Sequence, residues 1–144
     1  MRYLGLDVGS KNIGVAVGEQ LSSELTTLKA AKDQDFYSDN GYRDALAEIE
    51  KLLELEEADA IVIGLPVNED GRHTEESKKI ESFSKKLEGD LDIKIHAVDE
   101  TLTSFMAEDM LEAQGLDKGE VAKRIHQASA SLILQQYLEE NESI

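Results

Sequence analysis

Short apolar bursts separated by polar punctuation dominate the first part of the chain. Tyr3-Leu4-Gly5-Leu6 is followed by Asp7, Gly9 and Ser10, and a second burst runs from Ile13 to Val17. The pattern predicts strands over residues 2–9 and 12–18, joined by a tight turn around Ser10-Lys11, although Ser-Lys is not a favoured hairpin pair. A weaker pattern predicts a third strand over Leu25–Ala31, and polar residues from Asp33 to Gly41 read as a loop. Leu46, Ile49, Leu52 and Leu53 recur at helical spacing and predict a helix from Tyr42 to Glu57 with acids on its outer face. Asp59-Ala60-Ile61-Val62-Ile63-Gly64 is apolar without alternation, as in a strand buried on both faces, and Leu65-Pro66 ends it.

Val67–Thr74 reads as a loop with Asp70-Gly71 as its turn signal. Thr74, followed by Glu75 and Glu76, predicts a helix start; Ile80, Phe83 and Leu87 mark its buried stripe and Gly89 its end. Ile93–Val98 predicts a strand running into Asp99-Glu100. Ser104–Ala113 predicts a helix, capped by Thr103 or Ser104 and stopped by Gly115. The last helix is expected over Asp117–Glu139, with Val121, Ile125, Ala128, Leu132 and Ile133 inside. The order β-β-β-α-β-α-β-α-α implies an α/β fold: a mixed five-stranded sheet with helices on both faces.

Composition narrows the class. The 144 residues fit one domain, 1–144, and no internal repeat or low-complexity tract divides them. Cysteine is absent, which removes disulfides, thiolate metal sites and cysteine nucleophiles, and favours a reducing, cytoplasmic setting. No apolar run approaches the ~20 residues a membrane span needs, and the start of the chain does not resemble a signal peptide. The net charge of −16 should repel nucleic acid and anionic membranes at long range. The cations are unevenly placed, however. Residues 1–70 hold six against fifteen acids, whereas residues 71–94 hold six against six.

Asp7 and Asp99-Glu100 both fall at the C-terminal ends of predicted strands, the edge where open α/β sheets bind ligands. Asp7 lies between Leu6 and Val8, and burying its charge unpaired would cost several kcal/mol. Two such carboxylates repel each other unless a cation joins them. Mg²⁺ or Mn²⁺ prefers oxygen ligands and supports phosphodiester hydrolysis. The plainer alternative makes Asp7 a turn residue and Glu100 a helix-capping acid. Gly9 and Ser10 offer backbone donors to a phosphate, and Lys11 is either a phosphate contact or a solvated turn residue. Arg72 is placed to touch substrate; His73 beside it reads as part of a disordered surface loop.

Four segments together resemble one family. Leu4-Gly5-Leu6-Asp7-Val8-Gly9-Ser10-Lys11-Asn12-Ile13-Gly14 resembles the opening of the YqgF family, also called RuvX. Ile63-Gly64-Leu65-Pro66-Val67-Asn68 with Asp70-Gly71 resembles its second motif, Val98-Asp99-Glu100-Thr101-Leu102-Thr103-Ser104 its third, and Ala128–Leu138 its C-terminal helix. The resemblance implies a ribonuclease H-like fold with strand order 3-2-1-4-5. It also implies a cytoplasmic, metal-dependent nuclease that processes the 5′ end of the 16S ribosomal RNA precursor. Asp7 and Glu100 match the family's first two catalytic carboxylates, with Asp99 beside them. Two positions depart from the pattern. His126 stands where the third acid is expected, and an imidazole can bind Mn²⁺ and, less readily, Mg²⁺. Thr101 replaces an arginine that would pair with phosphate.

The expected site is therefore Asp7, Glu100 and His126 as catalytic residues. The same three with Asp99 would ligate Mg²⁺ or Mn²⁺, and Ser10, Lys11 and Arg72 would contact nucleic acid. A Holliday junction resolvase, which would need a dimer, is the alternative, as is a catalytically weakened nucleic-acid or ribosome-assembly binding module. The Asp-x-Gly-x-Lys opening also resembles the phosphate-binding hairpin of the sugar-kinase and actin superfamily. Those proteins close two such domains over ATP, and this chain has one.

Overall fold

The computed structural model describes residues 1–68, 70–100 and 103–141. Its elements in chain order are β1 (Tyr3–Val8), β2 (Asn12–Gly18), β3 (Ser22–Lys29), α1 (Asp39–Leu55), β4 (Ala60–Pro66), α2 (Glu75–Leu91), β5 (Ile95–Glu100), α3 (Thr103–Ala113) and α4 (Lys118–Glu140). The strands form one sheet in the order β3-β2-β1-β4-β5. β1 pairs antiparallel with β2 and parallel with β4, so the sheet is mixed, as expected.

Alternation along the strands divides the core into layers. Leu4, Leu6 and Val8 of β1, Ile61 and Ile63 of β4 and Ile95 of β5 pack with Ile49 of α1 and with Ile80, Phe83 and Leu87 of α2. The opposite face, with Ala16, Val62 and Val98, packs on Ala130, Ile133, Leu134 and Leu138 of α4. α3 lies against α4 through Ala107, Leu111, Val121 and Ala128.

Glycine lets α4 approach the sheet. A Cβ on Gly5 would stand 2.7 Å from Leu134 Cβ, and one on Gly14 would overlap the His126 carbonyl. Side chains at these positions would push the helix off the strands. Hydrogen bonds then fix its edge. Ser22 Oγ donates to the Ser131 carbonyl at 2.7 Å, and Arg124 grips Glu24 through two hydrogen bonds of 2.9 and 3.1 Å.

Several element ends differ from the sequence expectation. β3 lies three residues earlier than expected at its start, because Gly18 pairs with Ser22 and the hairpin closes over only three residues. α1 begins at Asp39, three residues before Tyr42, because Ser38 Oγ accepts the Gly41 N–H. α2 runs through Gly89 to Leu91 and ends at Asp92, whose φ of 49° provides the left-handed cap. β5 is shifted by two residues, so Asp99 and Glu100 are strand residues, paired with Leu65 and Pro66. Thr101 and the side chains of Thr103 and Ser104 lie outside what is described.

Candidate active site

Asp7 is the last residue but one of the central strand and pairs with Gly14 across the hairpin. Strand alternation puts it on the same face as Gly5, toward α4. Glu100 reaches that face from β5, with its Cγ 3.4 Å from where a Gly64 Cβ would stand. These two expected residues are brought together. Part of Asp7 reaches solvent, yet protein surrounds it closely enough that burial pushes its carboxyl pKa up to about 7, with the charges of Glu100 and then Glu76 adding to the rise. Every charge named here as acting on Asp7 is negative.

Asp99 points the other way. It is exposed, and its Oδ1 lies 3.2 Å from Nε2 of His73, whose Nδ1 lies 3.0 Å from Glu81 of α2. The loop bearing His73 is a built turn, contrary to the disorder expected there. Asn68 Oδ1 accepts the Asp70 and Arg72 N–H groups at 3.0 Å, Gly71 takes φ 77°, and Val67 bridges His73. Arg72 is exposed beside it.

His126 sits on α4 with its backbone against Gly14. Its half-buried ring has a lowered pKa, from burial first and then from the charge of Lys29 at the sheet edge. It is therefore neutral near pH 7. Among the described residues no three carboxylate or imidazole groups gather as a metal-ligand cluster.

Ser10 and Lys11 occupy the β1–β2 turn, which Gly9 N–H closes onto the Asn12 carbonyl at 2.9 Å. Lys11 Nζ donates to the Gln34 carbonyl at 2.6 Å, and the Ser10 carbonyl accepts Phe36 N–H at 2.8 Å. Both residues thus dock the loop after β3 onto the strand end that carries Asp7. That loop delivers Tyr37. Asp35 Oδ1 accepts the N–H groups of Tyr37 and Ser38 at 2.8 and 3.0 Å and holds the turn. The Tyr37 hydroxyl is buried with no hydrogen-bond partner among the described residues. Its pKa is raised by burial first, then by the charges of Glu76, Asp7 and Asp35.

Glu76 and Tyr37 were not singled out from the sequence. Glu76 had a signal, since the first turn of a helix following β4 faces the C-terminal edge of the sheet. Tyr37 had none, because its place depends on a long loop folding back over the hairpin.

The donors at this edge suit a divalent cation. Asp7 and Glu100 share one face and both offer hard oxygens, and a cation between them would offset the burial, first, and the repulsion that raise the Asp7 pKa. The donors fit, as a pair.

Known proteins share this fold. A chain of Thermus thermophilus RuvC, solved in complex with Holliday junction substrate, matches with a TM-score of 0.63 at 14% identity, covering 99% of this chain and 97% of that one. The fowlpox virus Holliday junction resolvase matches with a TM-score of 0.60 at 14% identity, over 97% and 99%. At that identity the likeness shows the fold, which is ribonuclease H-like. Sequence relatives lie nearer. A protein of Pseudomonas putida named "putative pre-16S rRNA nuclease" is 41% identical over 142 residues, 96% of this chain and 94% of its own. Proteins of the same name from Synechococcus elongatus and Lactobacillus gasseri are 39% and 37% identical, over 95% and 96% of this chain and 88% and 96% of their own. The family model described as RuvX, Holliday junction resolvase, matches residues 1–140. With motifs, sheet order and relatives along nearly its whole length in agreement, the chain belongs to the RuvX family.

Proposed function

We propose that residues 1–144 form one nuclease domain that hydrolyses phosphodiester bonds of structured RNA, at the 5′ end of the 16S ribosomal RNA precursor, in the cytoplasm. The observation that carries this reading is the enclosed Asp7 carboxylate beside Glu100, with like charges around it. The printed names of relatives at about 40% identity support the substrate. No helix among the described residues is long and apolar enough to cross a membrane.

Asp7 and Glu100 would hold Mg²⁺ or Mn²⁺. When bound, the cation supplies Lewis-acid chemistry, lowering the pKa of water and offsetting charge on the leaving oxygen. The chain's own residues provide position and charge. Asp7 must be ionised to bind a cation, so acid competes with the metal near its raised pKa. Glu76 adds negative charge at the same edge. The Tyr37 hydroxyl is buried near this edge with no hydrogen-bond partner among the described residues. His126, being neutral, can accept a proton or complete the ligand set, and Asp99 is a further carboxylate at the strand end.

The test is cleavage of precursor ribosomal RNA with Mg²⁺ or Mn²⁺ by the native chain and by Asp7→Asn. Full activity in Asp7→Asn, with its fold verified, would sink the assignment. The family description favours a second reading, resolution of four-way DNA junctions, and a junction substrate in the same assay separates the two. Comparing His126→Asp with His126→Ala addresses the third. If only the Asp variant cleaves, the native chain is a weakened, binding form; if Ala alone loses activity, His126 is a working group.

A further inference from the structure

The loop after β4 ends in a bridge between three side chains. His73 Nε2 lies 3.2 Å from Asp99 Oδ1 near the end of β5, and its Nδ1 lies 3.0 Å from Glu81 Oε1 on α2. Bonding both carboxylates takes both N–H hydrogens, so the bridging ring is a cation. The backbone seats it. Val67 and His73 form an antiparallel bridge, Asn68 Oδ1 accepts the Asp70 and Arg72 N–H groups, and Thr74, the next residue, caps α2. One side chain thus links the turn, a helix and the strand that ends in Glu100.

The end of β5 needs such a tie. β5 is an outer strand of the sheet, with β4 as its strand neighbour. Opposite Glu100 stands Pro66, which has no N–H to give the ladder. Val67 supplies a bond beyond it, its N–H donating to the Glu100 carbonyl at 3.1 Å. Asp99 and Glu100 are successive strand residues and face opposite sides. Holding the Asp99 carboxylate on one side therefore limits the twist of the backbone that aims Glu100 to the other, toward Asp7.

We propose that His73 is a positioning residue for Glu100: held between Glu81 and Asp99, it fixes the end of β5 so that Glu100 stays beside Asp7, where the pair would hold a divalent cation. The assignment rests on the metal-dependent nuclease reading and adds to it a residue on the far side of the strand from the carboxylate it serves. Charge alone predicts the opposite sign. A positive ring beside Asp99 repels a second cation nearby, so removing it would tighten metal binding, whereas loss of the tether weakens it.

The test uses Mn²⁺ alone, without nucleic acid. Mn²⁺ is titrated into the native chain, Asp7→Asn and His73→Ala, with the free ion read by electron paramagnetic resonance. The site is the binding that Asp7→Asn lacks. His73→Ala should bind Mn²⁺ there about three- to tenfold more weakly, the scale of one or two half-exposed ion pairs. His73→Gln, which keeps an N–H donor, should fall between the two. Amide hydrogen exchange without metal reads the tether directly. The Val67 N–H should exchange faster in His73→Ala by a similar factor, while Leu6 and Ile63 in the sheet centre keep their native rates. Equal or tighter Mn²⁺ binding by His73→Ala, an unchanged Val67 rate, or a rise shared by Leu6 and Ile63 would overturn the positioning role and leave the nuclease reading standing. A native chain whose Mn²⁺ binding equals that of Asp7→Asn would instead refute the metal site, and this role with it.

Discussion

Asp7 is an acid whose protonation the fold alters. Unfolded, its carboxyl ionises near 3.8; folded, near 7. Between those values the folded state keeps a proton that the unfolded state has lost. Its contribution to stability is therefore complete below about pH 4 and is lost as pH rises through 7. The difference amounts to about 4 kcal/mol at most, at 1.36 kcal/mol per unit. Asp7→Asn should accordingly raise the thermal midpoint at pH 8 and flatten the pH dependence of stability between 4 and 7, while abolishing cleavage. Calorimetry across that range checks the sign; a midpoint that drops at pH 8 would mean the carboxylate already has a partner. The same residue governs metal linkage. Mg²⁺ or Mn²⁺ should raise the midpoint of the native chain and leave that of Asp7→Asn unmoved, because only a ligand bound by the folded state shifts the equilibrium.

Among the elements, α4 is the one the site leans on, since it covers the face from which Asp7 and Glu100 project. Leu134 is fully buried there against Gly5. Leu134→Ala should cost about 2–5 kcal/mol, measured by denaturant unfolding. Gly14→Ala acts in the opposite sense, by overpacking: its methyl would meet the His126 carbonyl, with an expected cost of about 1–3 kcal/mol. That variant should also lower cleavage more than Leu134→Ala does at matched stability, because the displaced backbone lies on the strand pair that carries Asp7. α2 matters at its start. Thr74 Oγ1 accepts the Ser77 N–H at 3.1 Å, and Thr74→Ala should cost about 1 kcal/mol while loosening the turn that carries Glu76.

For the whole molecule, charge placement outweighs net charge. An acidic protein should meet nucleic acid poorly, and most of this surface would. Four of the five lysines of residues 71–94 fall on α2, whose start adjoins the C-terminal edge of the sheet. Binding should therefore depend on salt through a few local contacts, with a shallow slope for so charged a pair of partners. Adding positive charge elsewhere, as in Glu139→Lys at the end of α4, should raise the association rate with RNA at low salt and leave the rate at high salt unchanged. Stopped-flow binding at two ionic strengths checks this.

Apolar spacing and local punctuation determined the order of elements, the mixed sheet and the position of Asp7 at the end of its central strand. Those depend on interactions a few residues apart, and the four motifs carried the family. The tertiary structure decided what surrounds Asp7. β5 extends through Glu100, and because neighbouring strand positions face opposite sides, Asp99 turns out to His73 and Glu100 in toward Asp7. His126 occupies the expected helix position, yet the charge acting on its ring is that of Lys29. Tyr37 and Glu76 reach the site from a folded-back loop and a helix start, far from Asp7 along the chain. Electrostatics acts through space, and no pattern along the chain records which distant charges a fold will bring within reach of one carboxylate.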